Sequence, residues 1–314
     1  MKGVKGFFSR KLKQGRLGLE VSPFGIAVAK VTPGVEGSRP LVACHYLERT
    51  GEDADEALKT FVKQQGYTGL PTTIVLHPTY YRLFFVERPE VPEAEVGDAV
   101  KWRLKDQVDK PLADLLFDAF SVPEDAFRAS AKMVYAVAAE RQLIQEMVTD
   151  ANRAGLAVDS VQIGELAMHN ILTQIPDNDG SSALLRLRNS SGTIVLSQAS
   201  NLYLARQVET GVSMIHGVDS LVRDKMLDDM LLDIQRSLDY YESQLRKGVV
   251  RRFYVAPTRE LTDRLVHEYL QQQLNVNVSL LDLQQVFDLP ADLDAQMQAL
   301  CFVAMGAAIG EVAR

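Results

Sequence analysis

Two arginines, Arg186 and Arg188, are the best candidates in the chain for binding a ligand. They alternate with leucines at the end of a predicted strand. A planar guanidinium group can hold a phosphate or another anion through paired N–H donors, without a metal ion. The same two side chains could instead lie exposed at the strand end in ordinary ion pairs, and we expect this second arrangement. The sequence leaves an anion site open without requiring one.

The usual catalytic and metal-binding motifs are absent from the sequence. Its histidines are scattered, and neither His-x-x-x-His nor Cys-x-x-Cys spacing occurs, which argues against a metal centre. Gly-x-Ser-x-Gly and the glycine-rich loops of the Walker and Rossmann types do not occur either. Residues 177–180 lack the spaced ligands of an EF-hand loop and predict a turn. We predict no metal ligands and no catalytic residues.

The charges separate a short N-terminal segment from the rest of the chain. The formal net charge is -7 over 314 residues, yet residues 1–16 carry six basic side chains and no acidic one. Nucleic-acid binding through counterion release would need basic residues spread over the body, so we expect none. Residues 1–16 are predicted to be a basic amphipathic tail, which either contacts a membrane surface through residues 2–16 or is solvated.

Neither a membrane span nor a secretory signal is predicted. The longest uncharged apolar stretch, residues 299–310, is shorter than the roughly 20 residues that cross a bilayer. The N-terminal segment lacks the continuous apolar region and cleavage site of a signal peptide. We therefore expect a cytoplasmic protein.

The hydrophobic pattern predicts the same order of elements twice. The first half has predicted strands at 17–21, 25–31, 41–47 and 72–76, with a helix at 53–65. The second half has predicted strands at 183–187, 193–197, 203–208, 253–256 and 276–281, with helices at 261–274 and 293–309. The repetition predicts an α/β, actin-like (ribonuclease-H-like) fold of two lobes with duplicated βββαβα units, and a doubly wound Rossmann domain is the alternative.

The predicted lobes span residues 17–180 and 181–314. The first contains an inserted α+β subdomain at about 91–154, expected to run helix, strand, strand, helix. The second contains a long helical insertion at about 214–248 and a C-terminal helix that packs back on the sheets. An apolar stripe predicts burial along the insertion at Val222, Met226, Met230, Ile234, Leu238, Tyr241 and Leu245.

Three aromatic residues are candidates for binding a partner: Tyr81, Phe84 and Trp102. The first two belong to an aromatic-rich run that could border a groove for an extended peptide. Trp102 lies in a predicted helix and could either pack in the core or contact a docked peptide. We expect core packing, because large apolar residues at helical spacing are usually internal.

The chain resembles the PilM family, the actin-like components of type IV pilus machines, and within it the MSHA pilus biogenesis proteins of the MshI type. The matching segments are LGLEV at 17–21, AVKW at 99–102 with Asp118, VYAVAA at 134–139, AGL at 154–156 before Asp159, RSLDYY at 236–241 and AMGAA at 304–308. The resemblance implies a cytoplasmic protein held peripherally under the inner membrane. Its implied partner is the cytoplasmic N-terminal peptide of a PilN-like bitopic membrane protein, held in a groove beside the inserted subdomain.

The resemblance also locates a nucleotide cleft, but the residues there depart from an actin-like ATPase. At the first phosphate loop Glu20 replaces the expected aspartate, and Ser22, Pro23 and Phe24 replace small residues that would offer backbone N–H groups. The second loop has Arg186, Arg188 and Ser190 in place of a magnesium-organising acid and a glycine. The adenosine-side turn has Ala256 and Thr258 in place of glycines.

These departures predict a degenerate nucleotide site and a scaffold that is not an enzyme, with no cofactor. The alternative is an active PilM-like protein that binds ATP and magnesium and regulates pilus assembly. A relative of the cytoplasmic part of GspL is disfavoured, because no membrane-spanning segment follows residue 310.

Overall fold

In a computed structural model, the chain folds into two lobes that have the same strand topology. The structure describes residues 15–34, 38–48, 54–126, 132–178, 180–258 and 260–312. Most of the predicted tail lies outside these ranges. Arg16, which was assigned to the tail, instead begins the first strand, where it is buried and its Nη2 lies 2.6 Å from Oδ1 of Asp159.

The first lobe is built on an antiparallel hairpin. Strands β1 (Arg16–Val21), β2 (Gly25–Thr32) and β3 (Leu41–Glu48) pair antiparallel in sequence order. Helix α1 (Ala54–Gln64) then carries the chain across, so that β4 (Pro71–Leu76) pairs parallel with β1. An antiparallel hairpin followed by a helical crossover gives this mixed sheet.

The inserted subdomain is a small three-stranded sheet with a helix packed on it. Its strands are β5 (Tyr81–Glu87), β6 (Leu115–Ser121) and β7 (Met133–Glu140), in the order β5-β7-β6, and its helix is α2 (Val96–Arg103). Strand β5 precedes the boundary expected at residue 91. Helix α3 (Arg141–Arg153), expected inside the insertion, packs instead on α1 of the first lobe.

The first lobe closes with two elements that the sequence analysis did not identify. Strand β8 (Ala157–Ile163) pairs parallel with β4, and helix α4 (Gly164–Gln174) follows it directly. The described sheet of the first lobe therefore has the order β3-β2-β1-β4-β8. Half-buried and exposed residues are interleaved along β8, and polar residues interrupt its apolar ones, so it has no continuous apolar run to recognise.

The second lobe repeats this topology. Its described elements are β9 (Ser181–Leu187), β10 (Gly192–Gln198), β11 (Asn201–Val208), α5 (Val212–Ile215), α6 (Ser220–Asp239), β12 (Arg252–Val255), α7 (Glu260–Gln273) and β13 (Asn277–Leu280). The strand order β11-β10-β9-β12-β13 corresponds position by position to that of the first sheet. This correspondence confirms the predicted duplication.

The core between the two sheets contains the C-terminal helix α8 (Ala295–Val312), which packs on β1, β2 and α4. Small residues allow this close approach. A Cβ atom on Gly18 would lie 1.9 Å from the carbonyl oxygen of Ala304, and one on Gly306 would lie 2.1 Å from that of Ala167. The predicted packing of the C-terminal helix against a sheet is confirmed.

The helical insertion of the second lobe is buried along most of its predicted stripe. Met230, Ile234, Tyr241 and Leu245 have no measurable exposure. Val222 was predicted to be buried but is about half exposed, because the described residues do not cover the first turn of α6.

Candidate functional site

A cleft of about 250 Å³ lies between the two lobes, where the central strands of both sheets end. Of the residues predicted for the degenerate site, those that line it are Glu20, Ser22, Phe24, Arg186, Arg188 and Thr258. The other three do not line it: Pro23 and Ser190 are exposed in turns, and Ala256 is buried. The duplicated strands β1 and β9 bring the two halves of the site together.

An ion-pair cluster joins the lobes inside this cleft. Arg188 Nη1 lies 2.5 Å from Glu20 Oε1, and Arg186 Nη2 lies 3.3 Å from Glu20 Oε2. The side chains of Glu20, Arg186 and Arg188 are 6, 7 and 12% exposed. The expectation that the arginines lie exposed at a strand end is therefore wrong, because the facing lobe covers them, although they do form ion pairs.

The charges in this cluster strongly affect each other. Burial alone would raise the pKa of Glu20, but the neighbouring guanidinium groups of Arg188 and Arg186 outweigh it and lower the pKa to about 2. Burial and the positive charge of Arg188 lower the pKa of Arg186 to about 10, against the opposing effect of Glu20. Glu20 and Arg186 are therefore charged at neutral pH, and guanidinium groups hold the carboxylate of Glu20 on two sides.

The turn after β1 uses its own donors. Ser22 Oγ accepts hydrogen bonds from the backbone N–H groups of Phe24, at 3.2 Å, and Gly25, at 3.1 Å. The Ser22 N–H donates to the carbonyl oxygen of Gly25 at 3.0 Å. Because these N–H groups are already paired within the turn, they are not available to surround a phosphate.

The turn after β12 is closed in a similar way. The backbone N–H of Thr258 donates to Asp263 Oδ1 at 3.0 Å, and the Thr258 hydroxyl donates to the same carboxylate. The N–H of Ala256 donates to the carbonyl oxygen of Leu185 at 2.8 Å. Hydrogen bonds to Asp263 and Leu185 therefore hold this side of the cleft, without a glycine turn.

His77 also lines the cleft and was not predicted. It follows β4 directly, and β4 lies parallel to β1, so the two strands end at the same edge of the sheet. That adjacency is the sequence signal that could have identified it. Burial and the positive charge of Arg188 lower the pKa of His77 to about 4, so the imidazole is neutral at pH 7.

A second concavity, which we call the subdomain groove, lies beside the inserted subdomain and has a volume of about 380 Å³. Its walls include Tyr81 and Arg82 of β5, residues 108–110 of a loop, and Leu143 of α3. Two ion pairs cross its rim, Arg82 with Asp109 at 3.2 Å and Lys110 with Glu140. Within the described residues, β5 pairs with β7 and is an edge strand of the subdomain sheet.

Tyr81 connects the subdomain groove to the centre of the molecule. Its hydroxyl donates to Glu165 Oε2 of α4 at 2.5 Å, and both side chains are buried. Burial raises the pKa of Glu165, against the opposing effect of the Tyr81 hydrogen bond. Burial and the neighbouring Glu165 raise the pKa of Tyr81 well above its usual range.

The three predicted partner-binding residues do not share one surface. Tyr81 lines the subdomain groove, whereas Phe84 is half-buried against the core of the inserted subdomain, and neither Phe84 nor Trp102 lines the groove. Trp102 is 68% exposed, so the expectation of core packing is wrong. Val96 and Val100 form the buried face of α2, and a residue two positions beyond Val100 lies on the opposite side of a helix.

Within the described residues, no helix has the length and apolar character to cross a membrane, and no group of side chains has the composition of a metal site. No protein-family model matches the chain, and no curated protein matches it.

Solved structures do match it over nearly its whole length. A chain of the PilM-PilN type IV pilus biogenesis complex has 17% sequence identity and a TM-score of 0.69, with 96% of this chain and 99% of that chain covered. A protein from Bacteroides thetaiotaomicron with an actin-like ATPase fold and unknown function has 11% identity and a TM-score of 0.53, with 93% and 98% covered. The predicted actin-like fold is confirmed.

Proposed function

We propose that this chain is a non-enzymatic scaffold of a type IV pilus assembly complex, and more specifically of an MSHA-type system, on the cytoplasmic face of the inner membrane. There it would hold the cytoplasmic N-terminal peptide of a PilN-like bitopic membrane protein. The observation that carries the proposal is the similarity to a chain of the PilM-PilN complex, which extends over 96% of this chain and 99% of that one.

The subdomain groove supports the peptide-binding part of the proposal. It combines apolar wall residues with charged side chains of both signs at the rim, and β5 beside it is an edge strand of the described subdomain sheet. An extended peptide can add to such an edge through main-chain hydrogen bonds while its side chains enter pockets. We expect a micromolar dissociation constant, because ordering a flexible peptide offsets much of the contact free energy.

The inter-lobe cleft supports a scaffold without ATPase activity. Its first turn has paired its own N–H groups, and Glu20, the one carboxylate among its described lining residues, is held by two guanidinium groups. A hydrated magnesium ion needs free carboxylate oxygens, and two arginines beside the site repel it. We therefore expect neither ATP nor magnesium as a cofactor.

Fluorescence polarisation of a labelled peptide tests the proposal. The peptide is the N-terminal cytoplasmic segment of the PilN-like protein from the same organism, titrated with the full chain. Arg82→Glu reverses an exposed charge at the groove rim and should weaken binding about 10-fold or more. Arg223→Glu, an equal change at a site outside the groove, should leave binding unchanged. An absence of binding at saturating protein would overturn the proposal.

A further inference from the structure

The described lining of the inter-lobe cleft has a net charge of one positive unit. Arg186 and Arg188 face the single carboxylate of Glu20, and no other charged side chain belongs to its described lining. His77 adds no compensating charge, because it is neutral at pH 7. A charge excluded from water without a counter-ion is costly, so the cleft favours a ligand that supplies one negative charge.

Two donor nitrogen atoms of the same arginines have no hydrogen-bond partner among the described residues. They are Nη1 of Arg186 and Nε of Arg188, and both atoms are buried. Buried donors on charged side chains are nearly always paired in folded proteins. An oxyanion bound here could accept hydrogen bonds from both donors and balance the excess positive charge.

His77 offers a third donor. Its Nδ1 accepts the backbone N–H of Thr79 at 3.4 Å and lies 2.9 Å from the Thr79 hydroxyl, which can donate to it, so we assign the ring proton to Nε2. Because His77 lines the same cleft as the arginines, its imidazole can take part in binding an anion there.

We propose that the cleft binds a small oxyanion between Arg186, Arg188 and His77, without a metal ion. A carboxylate fits best, since one negative charge neutralises the cleft, whereas a phosphate monoester offers similar oxygens but carries about 1.5 to 2 negative charges at pH 7. A nucleoside triphosphate would bring several further negative charges next to Glu20, which they would repel. The proposal concerns the cleft alone and does not depend on peptide binding in the subdomain groove.

Thermal unfolding of the full chain in sodium acetate, inorganic phosphate or sodium chloride at matched ionic strength tests this. Acetate and phosphate should raise Tm with the concentration dependence of a binding site, whereas chloride should not. A larger effect of acetate assigns the site to carboxylates, and a larger effect of phosphate assigns it to phosphate monoesters. Arg186→Gln should weaken anion binding by about 10- to 100-fold. Arg223→Gln, which removes an arginine charge outside the cleft, should not change it.

A second readout uses the unmodified chain and does not depend on whether the Arg186 variant folds. A bound anion places negative charge beside the imidazole of His77, so acetate at pH 7 should shift the His77 ring resonances in an NMR titration, whereas chloride should not. Equal effects of acetate and chloride on Tm, or His77 resonances that do not move with acetate at pH 7, would overturn the proposal. Magnesium-dependent binding of ATP that exceeds the binding of phosphate would overturn it as well.

Discussion

Arg188 of the second lobe donates a 2.5 Å hydrogen bond to Glu20 of the first, and the lobe interface buries both side chains. Arg186 binds the other carboxylate oxygen, at 3.3 Å, and also donates to the carbonyl oxygen of Ala299 in α8. The cluster therefore joins both sheets and the helix between them. An internal ion pair thus links the two lobes in the proposed scaffold.

Removing the charge of Glu20 should strongly destabilise the folded chain. Glu20→Gln leaves two buried guanidinium groups without a counter-charge, which should lower the free energy of unfolding by about 3–5 kcal/mol. Urea denaturation at pH 7 measures this. Glu56→Gln, which breaks an exposed ion pair with Lys59, is the control and should cost less than about 1 kcal/mol. Equal costs would contradict the assignment of Glu20 to a buried cluster.

Acid should remove the contribution of Glu20. Its pKa is about 2 in the folded chain against an ordinary 4.5, so the stabilisation is present above pH 4.5 and is lost as the pH falls towards 2. The loss amounts to about 3 kcal/mol. The difference in unfolding free energy between the unmodified chain and Glu20→Gln should shrink over this interval. A difference that stays constant from pH 7 to pH 3 would show that the carboxylate is not stabilised by the arginines.

Glu165 should make stability fall with rising pH, which is the opposite of the effect of Glu20, and removing the Tyr81 hydroxyl should strengthen this effect. A raised pKa means that the protonated acid favours the folded state, so stability is lost as the pH rises above the ordinary value of 4.5. Tyr81→Phe removes the hydrogen bond that opposes this shift and should cost about 1–3 kcal/mol.

The pH dependence separates this effect from simple packing loss. The cost of Tyr81→Phe should be larger at pH 8 than at pH 5, as measured by urea denaturation. In a Glu165→Gln background, which has no ionisable group at this position, the cost should no longer vary with pH. A pH-independent cost in the unmodified background would contradict the predicted coupling of the two side chains.

The contact between α8 and α4 should tolerate no added methyl group. In Gly306→Ala the new Cβ would lie 2.1 Å from the Ala167 carbonyl oxygen, and backbone must move to make room. We expect a cost of about 1–3 kcal/mol or more in chemical denaturation. Gly180→Ala, where the new Cβ meets the Arg251 side chain at an ordinary 3.5 Å, should change stability by less than about 0.5 kcal/mol.

Much of the fold could be predicted because the periodic apolar runs of both halves repeat. Strands β1 to β4 and their counterparts β9 to β12 have such runs. Strand β8 was missed because polar and apolar residues alternate irregularly along it. The boundary of the inserted subdomain was misplaced because β5 pairs with β7, a partner distant in sequence.

The candidate site could be predicted only in part. The resemblance to actin-like ATPases identified Glu20 and Arg186 as cleft residues, because each stands where a phosphate-loop aspartate is expected. Their contact joins residues 166 positions apart, and neither local pattern nor spacing determines such a pairing. Trp102 was misassigned because its size suggested burial, although the spacing of Val96 and Val100 already placed it on the other face of α2.

Calorimetry of the folded, full-length chain with ATP, in the presence and absence of magnesium, tests most directly whether the cleft is maintained by its own ion pairs. We predict no magnesium-dependent heat of binding and no release of phosphate. Saturable binding of ATP that requires magnesium, accompanied by phosphate release, would contradict a scaffold whose lobes are joined by Glu20, Arg186 and Arg188.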